Sequence, residues 1–330
     1  GEEVWQEWKV GIEQSEGGAS TSSSVFPMVT KATLTGSVQS GKTPVVEYKE
    51  QTASAWSTAA DVKTSGASFS ATIGGLRGGT AYDYRISVDN AQTGSGSFTT
   101  AGEIALTNGG FEDWSQDGKQ WNPWPSGGTS FWGTGNPGAA AFIGNLTTPT
   151  TESVSGKAAL LESKDAVIKL GAGNIFTGDF ALDGTNGVLQ LGRPFTSFPT
   201  SLKFQYKYTS TTINRIGQDV GSLENLRGRP DSCQIYIALS DKPEPYEIRT
   251  KPSVRQVFDK NDRNIIAYGE FISGQSTTSY KQVEIPLEYR ATNRTPKYIV
   301  IVAAASKYGD YFIGGEGSTL WIDEMELVYE

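Results

Sequence analysis

Short stretches in which apolar and polar residues alternate recur along the chain, and long helical patterns are absent. Alternation with a period of two places every second side chain on the same face, which is typical of a β-strand with one buried face. Glycine, asparagine and aspartate separate these stretches, and all three favour turns. The pattern therefore predicts an all-β protein made of antiparallel sandwiches.

The first hundred residues predict a small sandwich. Residues 1–14 contain Trp5 and Trp8 and could form an edge strand. Residues 15–24 are rich in serine and glycine and favour a flexible loop. The candidate strands that follow are 31–37, 44–50, 68–73, 81–88 and 95–100.

The stretch TIGGLRGGTAYDYRISV resembles the E–F corner of a fibronectin type III domain. Such a corner has a leucine, a short turn that ends in Gly-Thr, and then a tyrosine, matched here by Leu76, Gly79, Thr80 and Tyr82. The resemblance implies an N-terminal fibronectin III/Ig-like β-sandwich in which the Tyr82 hydroxyl bonds back to the upstream backbone. A generic hairpin is the alternative.

The rest of the chain contains about ten further candidate strands without helices between them, which favours a jelly-roll β-sandwich. Segment 201–210 alternates cleanly, and so does segment 233–239, where the single cysteine occupies an apolar position typical of a buried thiol. Pro286 predicts an edge strand or a strand end, because proline cannot donate to a ladder. The apolar segment 297–306 predicts a central strand covered on both faces.

The length of 330 residues favours two domains, because single cores stop growing at about 250–300 residues. The composition changes at Ala101–Gly102. We therefore expect a fibronectin III/Ig-like domain at 1–101 and a jelly-roll domain at 102–330.

The composition excludes several kinds of site. The chain has no histidine, which removes histidine bases, triads and metal ligands. With one cysteine it can form neither an intrachain disulfide nor a thiolate zinc site. A net charge of −8 argues against a nucleic-acid partner. Any chemistry must use carboxylates, tyrosine, lysine, serine or arginine.

The sequence favours an exported protein. It contains no run of 18 apolar residues, so no transmembrane segment is expected. It begins with Gly1, which fits a trimmed export signal or a remnant of the expression vector, and a lipid anchor in the unprocessed protein is left open. The single cysteine and the composition rich in serine, threonine and glycine add to this expectation.

Four of the eight tryptophans lie between Trp114 and Trp132, in a stretch rich in turn formers. An indole face matches the apolar face of a sugar, and neighbouring Asp and Asn side chains match its hydroxyls. The pattern predicts that Trp121, Trp124 and Trp132 stack on carbohydrate. The alternative is that these tryptophans hold long loops over the sandwich.

Two acidic residues predict a structural calcium site. The last strand is expected to place Asp323 on one face with Trp321 and Met325, and a buried carboxylate needs a partner. First and last strands that lie side by side would bring Glu112 near Asp323. Carboxylates and the carbonyls of glycine-rich backbone suit Ca²⁺. Alternatively, Asp323 accepts hydrogen bonds from loop amides.

The C-terminal segment AAASKYGDYFIGGEGSTLWIDEMELVYE resembles the end of the putative carbohydrate metabolism domain family of gut-bacterial surface proteins, and NGGFEDW resembles its opening. The resemblance covers about 102–330 and implies a jelly roll similar to carbohydrate-binding modules. It also implies a place at the cell surface beside other glycan-utilisation proteins. The matching residues are Ser306, Lys307, Gly309, Asp310, Phe312, Gly314, Gly317, Ser318, Leu320 and Asp323.

The glycine-rich loop of this segment could let backbone approach a ligand closely. Asp310 would then bind sugar hydroxyls and Tyr311 would stack. In the alternative, the loop is a tight connection in which Asp310 caps its own turn. Arg193 joins the predicted carbohydrate site because the sequence GRPF places a cation at a strand-end turn.

These observations favour a fibronectin-like spacer followed by a module that binds carbohydrate without catalysis. A glycoside hydrolase using a carboxylate pair is the alternative, although no motif selects the pair. An adhesive surface protein that binds another protein is the third possibility.

Overall fold

The computed structural model describes residues 21–330. The candidate strand at 1–14 and most of the candidate loop at 15–24 lie outside the described residues. Strands account for 47% of the described residues and helices for 5%, which confirms the all-β prediction. The chain forms two units. One extends to Glu103 and includes Tyr329 and Glu330, and the other comprises Ile104–Val328.

The first unit is a sandwich of two four-stranded antiparallel sheets around one core. The strand orders are β1-β2-β6-β5 and β4-β3-β7-β8, which is the Ig-like arrangement. Its strands are β1 (Ser23–Pro27), β2 (Ala32–Ser37), β3 (Val45–Glu50), β4 (Ser57–Thr58), β5 (Asp61–Ser65), β6 (Ser68–Ile73), β7 (Ala81–Val88) and β8 (Ala91–Thr99).

The predicted tyrosine corner is present. The Tyr82 hydroxyl accepts a hydrogen bond of 2.9 Å from the backbone N–H of Arg77, five residues upstream. The Tyr82 ring is buried and stacks on Phe98 with 5.4 Å between centroids. The corner is therefore fixed by both a hydrogen bond and core packing.

The second unit is also built from strands, with one short helix, α1 (Asn136–Ala139), and three 3₁₀ turns at Gly221–Leu226, Pro252–Val254 and Gly309–Tyr311. Its strands are β9 (Ser115–Asp117), β10 (Gln120–Asn122), β11 (Trp132–Gly133), β12 (Thr147–Thr150), β13 (Ala158–Glu162), β14 (Lys164–Asp165), β15 (Leu170–Gly171), β16 (Asn174–Asp183), β17 (Asn186–Leu191), β18 (Arg193–Pro194), β19 (Ser201–Thr209), β20 (Cys233–Ser240), β21 (Tyr246–Arg249), β22 (Ile265–Ser273), β23 (Lys281–Pro286), β24 (Glu288–Tyr289), β25 (Tyr298–Ala304) and β26 (Thr319–Val328).

Two large sheets enclose the core of this unit. A five-stranded sheet has the order β12-β13-β26-β19-β23, and a nine-stranded sheet follows β21-β17-β16-β25-β20-β22-β24, with β11 on β16 and β18 on β25. As predicted, β25 is central and Pro286 ends an edge strand. The facing core positions, all buried, are Leu202, Phe204, Tyr206, Tyr208, Cys233, Ile235, Ile237 and Leu239.

The last strand departs from the predicted alternation. A β-bulge interrupts the pairing of β26 with β19 between Asp323 and Glu326, and Glu324 adopts a left-handed φ of 51°. The bulge adds one residue, so the core-facing set changes from Leu320 and Ile322 to Met325. The prediction that Asp323 shares a face with Met325 is therefore wrong.

Within residues 21–330, no helix is long and apolar enough to cross a membrane.

Candidate functional site

Trp132 is not a stacking residue. It is completely buried, between the rings of Phe111 and Phe131 at 5.4 and 5.2 Å, and its indole N–H donates to the Thr107 carbonyl at 2.9 Å. Strand β11 pairs with β16, which places Trp132 in the core. Its predicted contact with carbohydrate is wrong because no part of the ring reaches the surface.

Trp121 and Trp124 are half-buried, so part of each ring remains accessible. Trp121 lies on the β9–β10 hairpin. Its backbone is fixed by the Asn145 side chain, which accepts from its N–H, and by the Asn136 side chain, which donates to its carbonyl. These two tryptophans therefore remain candidates for ligand contact.

Arg193 is committed to structural bonds. Its guanidinium donates to the carbonyls of Phe131 and Gly178 and pairs with both oxygens of Asp179 at 2.9 and 3.2 Å. It thereby ties the β18 turn to neighbouring strands, and few of its donors remain for a sugar. A pocket of about 420 Å³ that includes Arg193 is lined by Ile104, Ala105, Leu106, Thr107, Thr129, Ser130, Phe131, Pro194 and Phe195.

Loops at one end of the second unit meet on the buried carboxylate of Asp231. Its Oδ2 accepts from the hydroxyls of Ser306 and Ser318 at 2.6 and 2.8 Å and from the backbone N–H of Gly315 at 2.8 Å. Burial raises the pKa of Asp231, and these hydrogen bonds oppose the rise. The carboxylate joins the loop before β20 to the loop between β25 and β26.

Asp310 lies in the latter loop and has no such partners. Its half-buried carboxylate forms no hydrogen bond or ion pair with any residue of the range 21–330. Burial raises the pKa of Asp310 to about 6, although the positive charge of nearby Arg255 opposes the rise. The 3₁₀ turn at Gly309–Tyr311 has no side-chain cap, so the alternative in which Asp310 caps its own turn is not observed.

Arg255 is the cationic neighbour of Asp310. Its terminal nitrogens donate to the carbonyls of Asp219 and Gln218 at 2.8 and 2.9 Å. Its Nε–H is buried without a hydrogen-bond partner, and its guanidinium lies 4.9 Å from the centroid of the Tyr311 ring. An unpaired acceptor, an unpaired donor and an aromatic ring therefore occupy one neighbourhood.

Further rings lie near this neighbourhood. Tyr311 packs edge-on to Tyr308 with centroids 6.3 Å apart. On the adjoining face of the nine-stranded sheet, Tyr236 stacks on Phe258 at 5.3 Å. Burial raises the pKa of Tyr236, and the negative charge of Asp310 adds to the rise, which indicates that the two groups are close.

A second cluster brings Glu112, Asp323 and Glu324 together, with carboxylate oxygens within 4.8 Å of one another. The side-by-side placement of the opening and the last strand is present, because the Gly109 carbonyl accepts from the Met325 N–H at 2.9 Å. The predicted pair of Glu112 and Asp323 is joined by Glu324, which the sequence pattern did not indicate because only the bulge turns it toward the other two.

Backbone amides also bind this cluster. Asp323 is fully buried and accepts from the N–H groups of Val154, Ser155 and Glu324 at 2.8, 3.1 and 2.8 Å, as in the alternative considered above. Burial raises the pKa of Asp323 and of Glu324, and the mutual repulsion of the carboxylates adds to both rises. The cluster is a group of hard oxygen ligands in which Asp323 is buried and Glu112 and Glu324 are exposed.

The family described as "Putative carbohydrate metabolism domain" matches residues 110–328, about two thirds of the chain. The chain belongs to this family. The match covers both carboxylate sites and all strands from β9 to β26.

Two solved structures are similar to this member of the putative carbohydrate metabolism domain family. A putative glycoside hydrolase from Bacteroides thetaiotaomicron VPI-5482 is 21% identical, with a TM-score of 0.53, over 78% of this chain and 81% of that one. A putative glycoside hydrolase from Bacteroides vulgatus ATCC 8482 is also 21% identical, with a TM-score of 0.51, over 68% and 98%. At this identity the likeness shows the fold. No curated protein matches the chain.

Most residues that carry the resemblance to the carbohydrate metabolism domain family have structural roles. Ser306 and Ser318 bind Asp231. A β-carbon on Gly309 would lie 2.5 Å from that of Ala172, and one on Gly314 would lie 2.6 Å from Leu170. Asp310 differs, because its carboxylate has no partner among the described residues. Arg255 was missed, since it is 55 residues away in the sequence and no motif links the two.

Proposed function

We propose that the second unit binds carbohydrate without catalysis, at the loop end that presents Asp310, Arg255 and Tyr311. The observation that carries the proposal is the Asp310 carboxylate, which accepts no hydrogen bond from the described residues and lies beside the Arg255 guanidinium and the Tyr311 ring. A carboxylate without a protein partner can accept hydrogen bonds from a ligand, and each terminal nitrogen of Arg255 has a second N–H beyond the one that binds a backbone carbonyl. A ligand that both donates and accepts hydrogen bonds would use both groups.

Sugar hydroxyls meet this requirement, because each can donate to a carboxylate and accept from a guanidinium. The apolar face of a sugar ring also suits the aromatic rings of Tyr311 and its neighbours. Membership of a carbohydrate-metabolism family supports this ligand class.

We favour binding over hydrolysis because no carboxylate of the described residues is among the groups that shift the pKa of Asp310. A glycosidase needs two carboxyl groups about 5–9.5 Å apart across a cleft. The only charged residue that perturbs the pKa of Asp310, within 21–330, is Arg255. Asp323, in the other cluster, is fully buried and already accepts three backbone hydrogen bonds, so it cannot exchange a proton with a substrate.

The test is isothermal titration of the full chain with ligands selected on a glycan array. We expect Asp310→Asn to weaken binding at least tenfold, a loss of about 1.4 kcal/mol or more, because the amide presents only one acceptor oxygen. Asp61→Asn, on an exposed strand of the first unit, is the matched control and should bind as the wild type does. Arg255→Lys should also weaken binding, because lysine cannot present two terminal N–H groups in the fixed planar geometry of a guanidinium.

Other outcomes separate the alternatives. Release of reducing ends from a polysaccharide, abolished by one acid-to-amide change while binding survives, would establish a glycoside hydrolase. The absence of any glycan signal together with capture of a protein ligand would establish an adhesive role. Equal affinity of Asp310→Asn and wild type would remove Asp310 from the site and leave Trp121 and Trp124 as the proposed contacts.

We propose in addition that Glu112, Asp323 and Glu324 bind a structural Ca²⁺. Oxygen ligands of this kind suit calcium, and a divalent cation would cancel the repulsion among the three carboxylates. It would link the opening of the second unit to its last strand.

The calcium proposal predicts a melting temperature that rises with added Ca²⁺ and falls with EDTA, since a ligand that binds only the folded state stabilises it. Glu324→Gln should reduce the Ca²⁺-dependent shift, whereas Glu326→Gln, exposed two residues further along β26, should leave it intact. A melting temperature unaffected by either reagent would exclude the site.

We propose that the protein is exported and acts at the cell surface, accessory to other glycan-utilisation proteins. The family and the composition support this location. Protease accessibility on intact cells tests it.

A further inference from the structure

Four large apolar side chains of the second unit are exposed on two neighbouring loops and at the adjoining end of strand β16. Phe142 is 86% exposed, Val167 80%, Ile168 72% and Leu182 49%. We refer to these four residues as the apolar crest. Single exposed apolar residues are normal on a protein surface, but a group of them marks an interaction site.

Contacts at the base of the loops hold the crest together. A β-carbon on Gly171 would lie 3.2 Å from Ile143, and one on Gly138 would lie 3.0 Å from Leu182. Lys169 Nζ donates to Thr185 Oγ1 at 2.8 Å, which joins the β14–β15 hairpin to the β16–β17 hairpin. The three tips are therefore neighbours.

Val167 lies at a turn position whose backbone conformation is unfavourable for valine. Its φ is +71°, a left-handed conformation that is unfavourable for a β-branched residue and that glycine or asparagine adopts readily. Its N–H is fixed by Asp165 Oδ1 at 2.8 Å, and its side chain points away from the core. The turn thus displays an apolar side chain where a polar one would fit better.

The size of the crest distinguishes between two classes of partner. Four side chains that each offer on the order of 100 Å² of apolar surface fall short of the roughly 800 Å² per partner of a standard protein interface. Shallow insertion into a lipid surface needs only the projecting side chains themselves.

The charges around the crest fit a lipid surface as well. Lys164 stands at its base, on the strand that leads into the turn of Val167 and Ile168, and forms no ion pair with a residue of the described range. Lys169 Nζ is held by Thr185 Oγ1, Asn186 Oδ1 and the Phe312 ring. Of the acids nearby, Asp165 is paired with Arg215 at 2.7 Å, and Asp183 follows Leu182 at the end of β16. A lysine such as Lys164 in this position lies at the level of phosphate headgroups.

We infer that the apolar crest inserts into a phospholipid surface, with Lys164 on the headgroup phosphates. This contact is separate from the proposed carbohydrate site, and neither depends on the other. It would hold the second unit against a membrane by its loop tips.

The test is flotation of the full chain with vesicles of phosphatidylcholine alone or with one quarter phosphatidylglycerol. We expect binding to both, stronger to the anionic vesicles. The triple variant Phe142→Ser, Val167→Gly, Ile168→Ser should lower the partition coefficient at least about tenfold. Val167→Gly removes a side chain at a φ that favours glycine, so the fold should survive, which circular dichroism checks. Lys164→Glu should remove the preference for anionic vesicles.

Val45→Ser is the matched control, because Val45 is 48% exposed on the other unit and should have no effect. Failure of the wild type to float with either vesicle, or equal flotation of the triple variant, would overturn the inference. Self-association of the wild type in sedimentation velocity that the triple variant loses, without vesicle binding, would instead assign the crest to a second copy of the chain.

Discussion

At the scale of single residues, acidic side chains of the second unit differ in whether the protein supplies their partners. Asp231 and Asp323 are buried and accept three or more hydrogen bonds each. Asp310 is half-buried and accepts none from the described residues. The first two stabilise loops, whereas Asp310 is kept in an environment that disfavours its charge, and such groups concentrate at functional sites.

Asp310 should make the protein less stable as the pH rises. Because the pKa of Asp310 is about 6 in the folded protein and 3.8 otherwise, the folded state binds the proton more tightly. Its contribution is fully present below about pH 3.8 and is lost as the pH rises through 6. At pH 7.5 we expect Asp310→Asn to stabilise the protein by on the order of 1–2 kcal/mol, allowing for partial solvent exposure.

Chemical denaturation at pH 7.5 and pH 4 measures this effect. The gain should shrink toward zero at the lower pH, and the same variant should have lost carbohydrate binding. A residue with a purely structural role would show the opposite, a loss of stability. If Asp310→Asn destabilises the protein at pH 7.5, the account of this carboxylate is wrong.

Predictions for single residues were correct where the role depends on one side chain and its local sequence. Tyr82 was correctly assigned its backward hydrogen bond. Trp132 was misassigned because a two-residue strand, β11, follows a run of turn formers and leaves no periodic signal. Asp310 and Tyr311 were named, but Arg255 comes from a separate loop, and only the folded chain brings it there.

At the scale of elements, alternation predicted the long strands well and the irregular ones poorly. β19, β20 and β25 lie where the pattern placed them, with the expected faces in the core. β1 was missed at Ser23 and Ser24, which favoured a loop by composition but form an edge strand paired with Thr35 and Gly36. The bulge in β26 is set by its pairing with β19, and no residue type in the sequence predicts it.

The loops at the end of the second unit should depend on Asp231. Asp231→Ala removes an acceptor shared by two serine hydroxyls and a backbone amide, and we expect a loss of roughly 2–4 kcal/mol in the free energy of unfolding. Carbohydrate affinity should fall as well, because the same loop presents Asp310. Asp61→Ala provides the exposed control for denaturation. Unchanged stability of Asp231→Ala would mean that the loops are held by packing alone.

At the scale of the whole molecule, the two units carry separate cores and, in our proposal, separate tasks. The change in composition at Ala101–Gly102 and the strand density of each part were visible in the sequence. The assignment of strands to sheets was not, because it depends on long-range pairing such as that of β13 with β26.

Carbohydrate binding should reside entirely in the second unit. A fragment of residues 104–328 should bind the ligand of the full chain within about threefold, whereas residues 21–103 should not bind it, since the proposed contacts all lie in the former. Titration of both fragments checks this, with circular dichroism to establish folding. A folded 104–328 fragment without affinity would assign the first unit a direct part in recognition.

The bond between Gly109 and Met325 has an architectural consequence. Because the beginning and the end of the larger sandwich leave it side by side, the unit behaves as a cassette whose entry and exit coincide. The unit can therefore be inserted into a surface loop of an unrelated protein without separating the ends of that loop. It can also be circularly permuted, with its present ends joined and new ends placed in another loop.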